Sequence, residues 1–258
     1  MNIGFSTGSI AKGNFRLALD LLKQTSANVI ELSALREDEF LPLLEVLDDL
    51  DLSKYKYKSF HAPSKLSSFS EAQFVGQLER VARRGMHIVV HPDIITDFLL
   101  WQRLGKYLCL ENMDKRKHIG RTSKDMEMLF KKLPDASFCF DIAHAKQVDP
   151  TLYEGARMIE LFKERLVQVH MSEVNSDSAH HSITFDSILA YSSLVCQIPN
   201  VTPIVLESPL KSYQLEPEIE KVKMIFEPKL LLKMISPLKE SSVYFYNKVS
   251  ELNRLVNI

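Results

Sequence analysis

Phe138-Cys139-Phe140-Asp141-Ile142-Ala143-His144 is an apolar run of β-forming residues that stops at a carboxylate, with an imidazole three residues later. It reads as a strand whose last residue is a ligand. Other short runs end the same way. Lys58-Ser59-Phe60-His61, Ile88-Val89-Val90-His91, Leu108-Cys109-Leu110-Glu111, Val167-Gln168-Val169-His170 and Ile204-Val205-Leu206-Glu207 close on metal-binding residue types, and Val29-Ile30-Glu31-Leu32-Ser33 on a polar one. Strand ends that gather His, Asp and Glu are what a barrel needs to build a metal site at one rim.

The same runs, placed in order, set the fold. Strands over 3–6, 29–33, 57–61, 87–91, 108–111, 137–141, 166–171 and 203–207 alternate with helical patterns over 15–24, 70–84, 94–104, 123–132, 152–163 and 185–196. A further helix after the second strand carries Phe40, Leu43, Leu44 and Leu47 at helical spacing. Strand–helix alternation means parallel strands joined by crossover helices, and eight such strands close a (β/α)8 barrel. An open doubly wound sheet would collect its chemistry at one switch point, usually beside a glycine-rich phosphate loop. Here the candidate ligands lie at many strand ends and no such loop is present, so the closed α/β barrel is expected, over residues 1–225. Residues 226–258 read as a C-terminal helical extension around 229–235 and 238–255, a cap or a homodimer surface.

A chain of 258 residues with 45% hydrophobic side chains is ample for one large core. With 32 basic against 33 acidic residues the formal charge is -1, so no global field attracts a polyanion or an anionic membrane. Cys109, Cys139 and Cys196 lie in apolar runs without paired spacing, which suits small core residues in a reducing compartment. No apolar run approaches the roughly 20 residues that span a bilayer, and a cytoplasmic protein without membrane contact is expected.

The ligand candidates are His61, His91, Glu111, Asp141, His170 and Glu207 at the barrel mouth, with His144 on the loop above Asp141. Taken singly, a strand-end His or Glu is more often a hydrogen-bonded rim residue. Together they would cost too much to bury unless a cation paired with them, and imidazole with carboxylate suits zinc or manganese, with iron(II) as a further choice.

Phe60-His61-Ala62-Pro63, Val90-His91-Pro92, Leu110-Glu111-Asn112, Phe140-Asp141-Ile142-Ala143-His144, Val169-His170-Met171-Ser172 and Leu206-Glu207-Ser208-Pro209 occur in this order. Over about residues 3–208 the chain thereby resembles the xylose-isomerase-like TIM barrels, the superfamily of endonuclease IV (AP endonuclease family 2) and the sugar epimerases. In the isomerase and epimerase branch the resemblance implies one metal on Glu111, Asp141, His170 and Glu207. The two glutamates would move a proton beside a carbonyl, and His144 would serve a substrate hydroxyl. That branch leaves His61 and His91 idle and often carries an Arg soon after the seventh-strand His, whereas no Arg lies between Arg165 and Arg254.

In the endonuclease IV branch the resemblance implies three metals. His61, His91 and Glu111 would hold one, and Glu111, Asp141, His170 and Glu207 a second. The third would use His144 with an Asp-x-His pair, where this chain has Asp177-Ser178-Ala179-His180-His181, so His180 or His181 is available but the Asp spacing differs. Ser64 and Lys65 stand where the DNA enzymes place an aromatic residue, which with the neutral charge disfavours duplex DNA as a partner. Arg36 after the second strand and Lys115, Arg116 and Lys117 after the fifth are the candidates for holding a substrate phosphate; their bland reading is a set of solvated surface charges. The expectation drawn is a multinuclear divalent-metal enzyme with Glu111, Glu207 and His144 as catalytic groups. Its reaction would be hydrolysis of a phosphoester in a small-molecule or single-stranded substrate. A metal-dependent sugar or sugar-phosphate isomerase or epimerase is the alternative, followed by an iron oxidase or a non-catalytic binding protein.

Overall fold

The structure is a computed structural model and describes residues 1–227. The helices expected around 229–235 and 238–255 lie outside the described residues. Barrel strands β1 (Ile3–Ser6), β2 (Val29–Ser33), β3 (Tyr57–His61), β4 (His87–Val90), β5 (Leu108–Glu111), β6 (Ser137–Asp141), β7 (Leu166–Met171) and β10 (Ile204–Leu206) form a closed ring. Every neighbouring pair is parallel, including the seam between β1 and β10. The strands are nearly continuous apolar runs because both faces are covered, one by helices and one by the barrel interior.

The helices are α1 (Thr7–Ala11), α2 (Phe15–Leu22), α3 (Glu37–Val46), α4 (Glu71–Ala82), α5 (Phe98–Trp101), α6 (Ser123–Lys132), α7 (Ile142–Val148), α8 (Tyr153–Phe162), α9 (Phe185–Ser192) and α10 (Leu215–Phe226). Among the described residues none is long and apolar enough to cross a membrane. A two-stranded hairpin, β8 (Glu173–Val174) with β9 (His180–His181), follows β7.

Alternation along the strands divides the apolar side chains into two groups. Ile30, Leu32, Phe60, Ile88, Leu108, Leu110, Phe138, Phe140 and Val169 face outward into the large core shared with the helices. Val89, Cys109 and Cys139, with Val167 against them, form a small separate plug inside the barrel. The two cysteines are thus buried packing residues, while Cys196 is exposed. Glu31, Ser33, Ser59, His61, Glu111, Asp141, Gln168 and His170 are buried polar residues of the strands, and it is there that ligands can converge. Next to the seam, a Cβ on Gly4 would run into the Val29 backbone, so β1 and β2 approach as closely as they do only because residue 4 has none.

Three local differences from the sequence expectation have physical reasons. The helix expected over 94–104 is instead a 3₁₀ turn at Pro92–Ile94, the single turn α5 and a second 3₁₀ segment at Gln102–Tyr107. Glu71 withdraws the Thr96 and Asp97 amides from any helical ladder, and Gly105 is non-helical at φ 52°. Residues 7–11, which no helical pattern of the sequence covers, form the short α1, closed where Lys12 turns left-handed at φ 47° and its N–H donates to the Gly8 carbonyl. His144, expected on a loop, lies in the first turn of α7, because Asp141 caps that helix.

Candidate metal centre

Glu111, the last residue of β5, is the centre of the cluster. Its carboxylate is buried and faces four imidazoles. Oε2 lies 3.4 Å from His61 Nε2 and 3.3 Å from His91 Nε2, while Oε1 lies 3.3 Å from His170 Nδ1 and 3.4 Å from His144 Nδ1. His170 Nδ1 is also 3.4 Å from Glu207 Oε2. His61 turns Nε2 inward because its Nδ1 is bonded to the Ala62 carbonyl at 2.8 Å. Asp141 divides its carboxylate: Oδ1 accepts the His144 backbone N–H at 2.7 Å as the N-cap of α7, and Oδ2 stays on the site, 3.5 Å from His144 Nδ1. Asn112 completes this frame, accepting the Asp141 N–H and donating to the Asp141 carbonyl, both at 2.8 Å.

Three sets of donors lie within 4.8 Å of one another: His61, His91 and Glu111; Glu111, Asp141, His170 and Glu207; and Glu31, His61, His170 and Glu207. The residues fit a divalent cation. Imidazole and carboxylate are its natural ligands, and Glu111 Oε2, Asp141 Oδ2 and His91 Nδ1 are buried without a hydrogen-bond partner among the described residues.

The electrostatics carry the same message. Burial opposes the Glu111 charge, yet His170, His144 and His61 hold its carboxyl well below the usual range. Glu207 is likewise held down against burial, chiefly by His170. Burial alone would strip the proton from His61 and His144, but the surrounding carboxylates push them up to about 9 and about 10. Asp141 is pushed up by burial to about 7. His91 and His180 go the other way, lowered by burial. Protons on imidazoles and on Asp141 therefore balance this pocket, and a cation would displace them.

No protein-family model matches the chain, and no curated protein matches its sequence. Solved structures do match its coordinates. Endonuclease IV from Thermus thermophilus superposes with a TM-score of 0.59 at 15% identity, covering 88% of this chain and 100% of that one. The IolI protein with a binding zinc atom gives 0.57 at 14% identity, covering 92% and 99%. L-ribulose 3-epimerase gives 0.52 at 12% identity, covering 88% of each chain. The fold is the closed parallel (β/α)8 barrel shared with these structures.

On this barrel the remaining candidates take different places. His180 turns toward the centre, with Nδ1 2.8 Å from Ser172 Oγ and 3.9 Å from Glu207 Oε2, and its ring is 5.6 Å from that of His144. His181 is exposed on the hairpin, opposite Glu173. None of the three donor sets includes His144, His180 or His181.

Arg36 is exposed and paired with Glu39, one turn into α3, rather than with Glu37 or Asp38. Glu37 is engaged by the 67–69 loop instead. Arg116 is held by the buried Asp114, whose Oδ2 is 4.0 Å from His144 Nε2. Lys117 pairs with Asp93 at 2.5 Å, close enough to His91 to bear on its charge. Lys115 is exposed, its amide bonded to Gln147.

The sequence reading passed over Glu31 and Gln168. Both lie inside the barrel against His170: Gln168 Nε2 donates to Glu31 Oε2 at 2.7 Å, and Glu31 Oε2 is 3.1 Å from His170 Nε2. The available signal was a charged residue in the middle of an otherwise apolar parallel strand.

Proposed function

We propose that the chain is a divalent-metal-dependent enzyme holding two cations through a shared Glu111, and that it hydrolyses a phosphoester in a small or single-stranded substrate. The observation that carries this is the two-sided Glu111 carboxylate, with His61 and His91 on one oxygen and His170 and His144 on the other. One ion would take His61, His91 and Glu111, and the other Glu111, Asp141, His170 and Glu207; zinc or manganese suits both sets, and iron(II) also fits. Paired divalent ions at such a site supply an activated water and neutralise charge on a phosphoryl group.

The protein's own groups bind and orient. Lys117 and Arg116, on the loop after β5, are each tied to one carboxylate and would exchange it for a substrate phosphate. Lys115, exposed on the same loop, and Arg36, exposed after β2, would add further charge. His144 donates its Nδ1–H to the Asn112 carbonyl at 3.0 Å, so its imidazolium form, favoured by Asp141 and Glu111, carries the second proton on Nε2, toward Asp114 and the rim, for a departing oxygen. Glu207, partly open to solvent, is the group placed to accept a proton.

Metal content tests the reading. Wild type should carry two ions per chain, the His61→Ala/His91→Ala variant one, and Asp141→Ala/Glu207→Ala at most one. A single ion in wild type, unchanged when both histidines are removed, would overturn hydrolysis. It would favour the second reading, isomerisation or epimerisation of a sugar or sugar phosphate, for which Glu111, Asp141, His170 and Glu207 are a complete set without His61 and His91.

A further inference from the structure

Glu31 lies two residues before the end of β2, fully buried, where an unpaired carboxylate would be strongly destabilising. Its Oε2 gathers three partners: Ser59 Oγ at 3.0 Å, Gln168 Nε2 at 2.7 Å and His170 Nε2 at 3.1 Å. Gln168 is itself fixed from deeper in the barrel, where the Tyr57 hydroxyl donates to its Oε1 at 2.9 Å. The chain from Tyr57 through Gln168 to Glu31 therefore ends on one edge of the His170 ring. The opposite edge, Nδ1, faces Glu111 and Glu207.

An imidazole that binds a cation through one nitrogen must carry its proton on the other, and that proton needs an acceptor. Two groups compete at His170 Nε2. Gln168 Nε2, 2.8 Å away, is a donor and favours the tautomer with the proton on Nδ1, where it would block a cation. Glu31 is an anionic acceptor and favours the proton on Nε2. Hydrogen bonds to an ionised partner are roughly twice as strong as neutral ones, so once a cation engages Glu111 and Glu207, which otherwise face Nδ1, Glu31 wins.

Resting on the metal reading above, we propose that Glu31 is a positioning residue that holds the His170 proton on Nε2 and so presents the Nδ1 lone pair to a cation shared with Glu111, Asp141 and Glu207. Outer carboxylates of this kind typically change metal affinity by about tenfold to a hundredfold. Glu31 also belongs to a donor set with His61, His170 and Glu207, so direct ligation is the rival role. Oε2, occupied by Ser59, Gln168 and the His170 edge away from Glu111, carries the positioning role, while Oε1, buried without a hydrogen-bond partner among the described residues, is the atom direct ligation would use.

Cobalt(II) titration of metal-stripped protein, followed by visible absorption, separates the two roles. Glu31→Gln is nearly isosteric. It should bind cobalt about tenfold to a hundredfold more weakly, yet reach the wild-type stoichiometry and spectrum at saturation. Glu31→Asp, which keeps the charge at a greater distance, should fall between, and supplies the comparison if the glutamine variant fails to fold. Long-range proton–nitrogen NMR of zinc-loaded wild type should place the His170 proton on Nε2, with that signal lost in Glu31→Gln.

Unchanged cobalt affinity in a folded Glu31→Gln protein would overturn the proposal, and so would the loss of a whole ion at saturation. If wild type bound no cobalt at all, the metal reading would fall and this inference with it.

Discussion

At the scale of single residues, Glu111 carries the most consequence, because neither of its oxygens is spare. Glu111→Gln keeps the shape but replaces one oxygen with an amide that faces imidazoles. Atomic absorption should show both ions lost from this variant. In metal-stripped protein it should also cost about 3–5 kcal/mol, the usual penalty for leaving buried charges without their counter-charge. Full ion content in Glu111→Gln would show that Glu111 bridges nothing. The residues of this centre were legible in unequal measure. His61, His91, Glu111, Asp141, His170 and Glu207 could be read because each ends a run of apolar residues or stands just beyond it. Glu31 and Gln168 could not, since a strand-end rule looks only at the last position and both sit two residues earlier on the same inward face. The choice between His180 and His181 depended on the pleat of a two-residue strand, which no periodicity of that length reveals.

At the scale of elements, the helices are fastened to one another by carboxylates near their starts. Glu37, first in α3, accepts the amides of Ser67, Ser68 and Phe69 before α4. Glu71, first in α4, takes Thr96, Asp97 and the Trp101 indole. Glu154 in α8 takes Ser123 of α6, and Glu216 in α10 takes Ser26 ahead of β2. Burial of Glu37 works against its charge, but the Ser67, Phe69 and Ser68 donors outweigh it and hold its carboxyl down at about 2.

Its folded pKa therefore lies below the unfolded value. The stabilisation is complete above the ordinary carboxylate range and disappears as pH falls through about 2. Glu37→Gln should lower Tm by about 2–4 °C near neutral pH, for a loss of about 1 kcal/mol. Melts of the two proteins should converge as the solution is acidified; a gap as wide at pH 2 as at neutral pH would refute this account. Such clamps explain why helix boundaries were less legible than strands. The amides of Thr96 and Asp97 looked helical by local pattern, and only a glutamate 25 residues away decides otherwise.

At the scale of the whole molecule, the candidate ligands come from β3, β5, β6 and β7 and from the residues just after β4 and β10, so a bound cation ties much of the ring together. Zinc at a hundredfold excess over its Kd should add about 2.7 kcal/mol and raise Tm by about 5–10 °C, measured against chelator-treated protein. No shift with zinc, manganese or iron(II) would contradict a metal centre built on these strands. The barrel itself was readable because strand–helix alternation repeats often enough to fix a count, and a count fixes closure. Charge speaks to partners at this scale. With a formal charge of -1 the surface lacks the cationic excess that gives duplex affinity, so an abasic duplex should bind weakly at physiological ionic strength. Tight, salt-sensitive binding in a fluorescence titration would count against a small or single-stranded substrate.

The seam between β1 and β10 also governs timing. Glu207 stands one residue beyond β10, so the cluster is complete only after the last strand has docked between β1 and β7. A cation that needs the finished ring can do little for the transition state through which the ring closes. Its stabilisation should consequently show in the escape rate: zinc would lengthen the lifetime of the native barrel and leave the rate of refolding almost untouched.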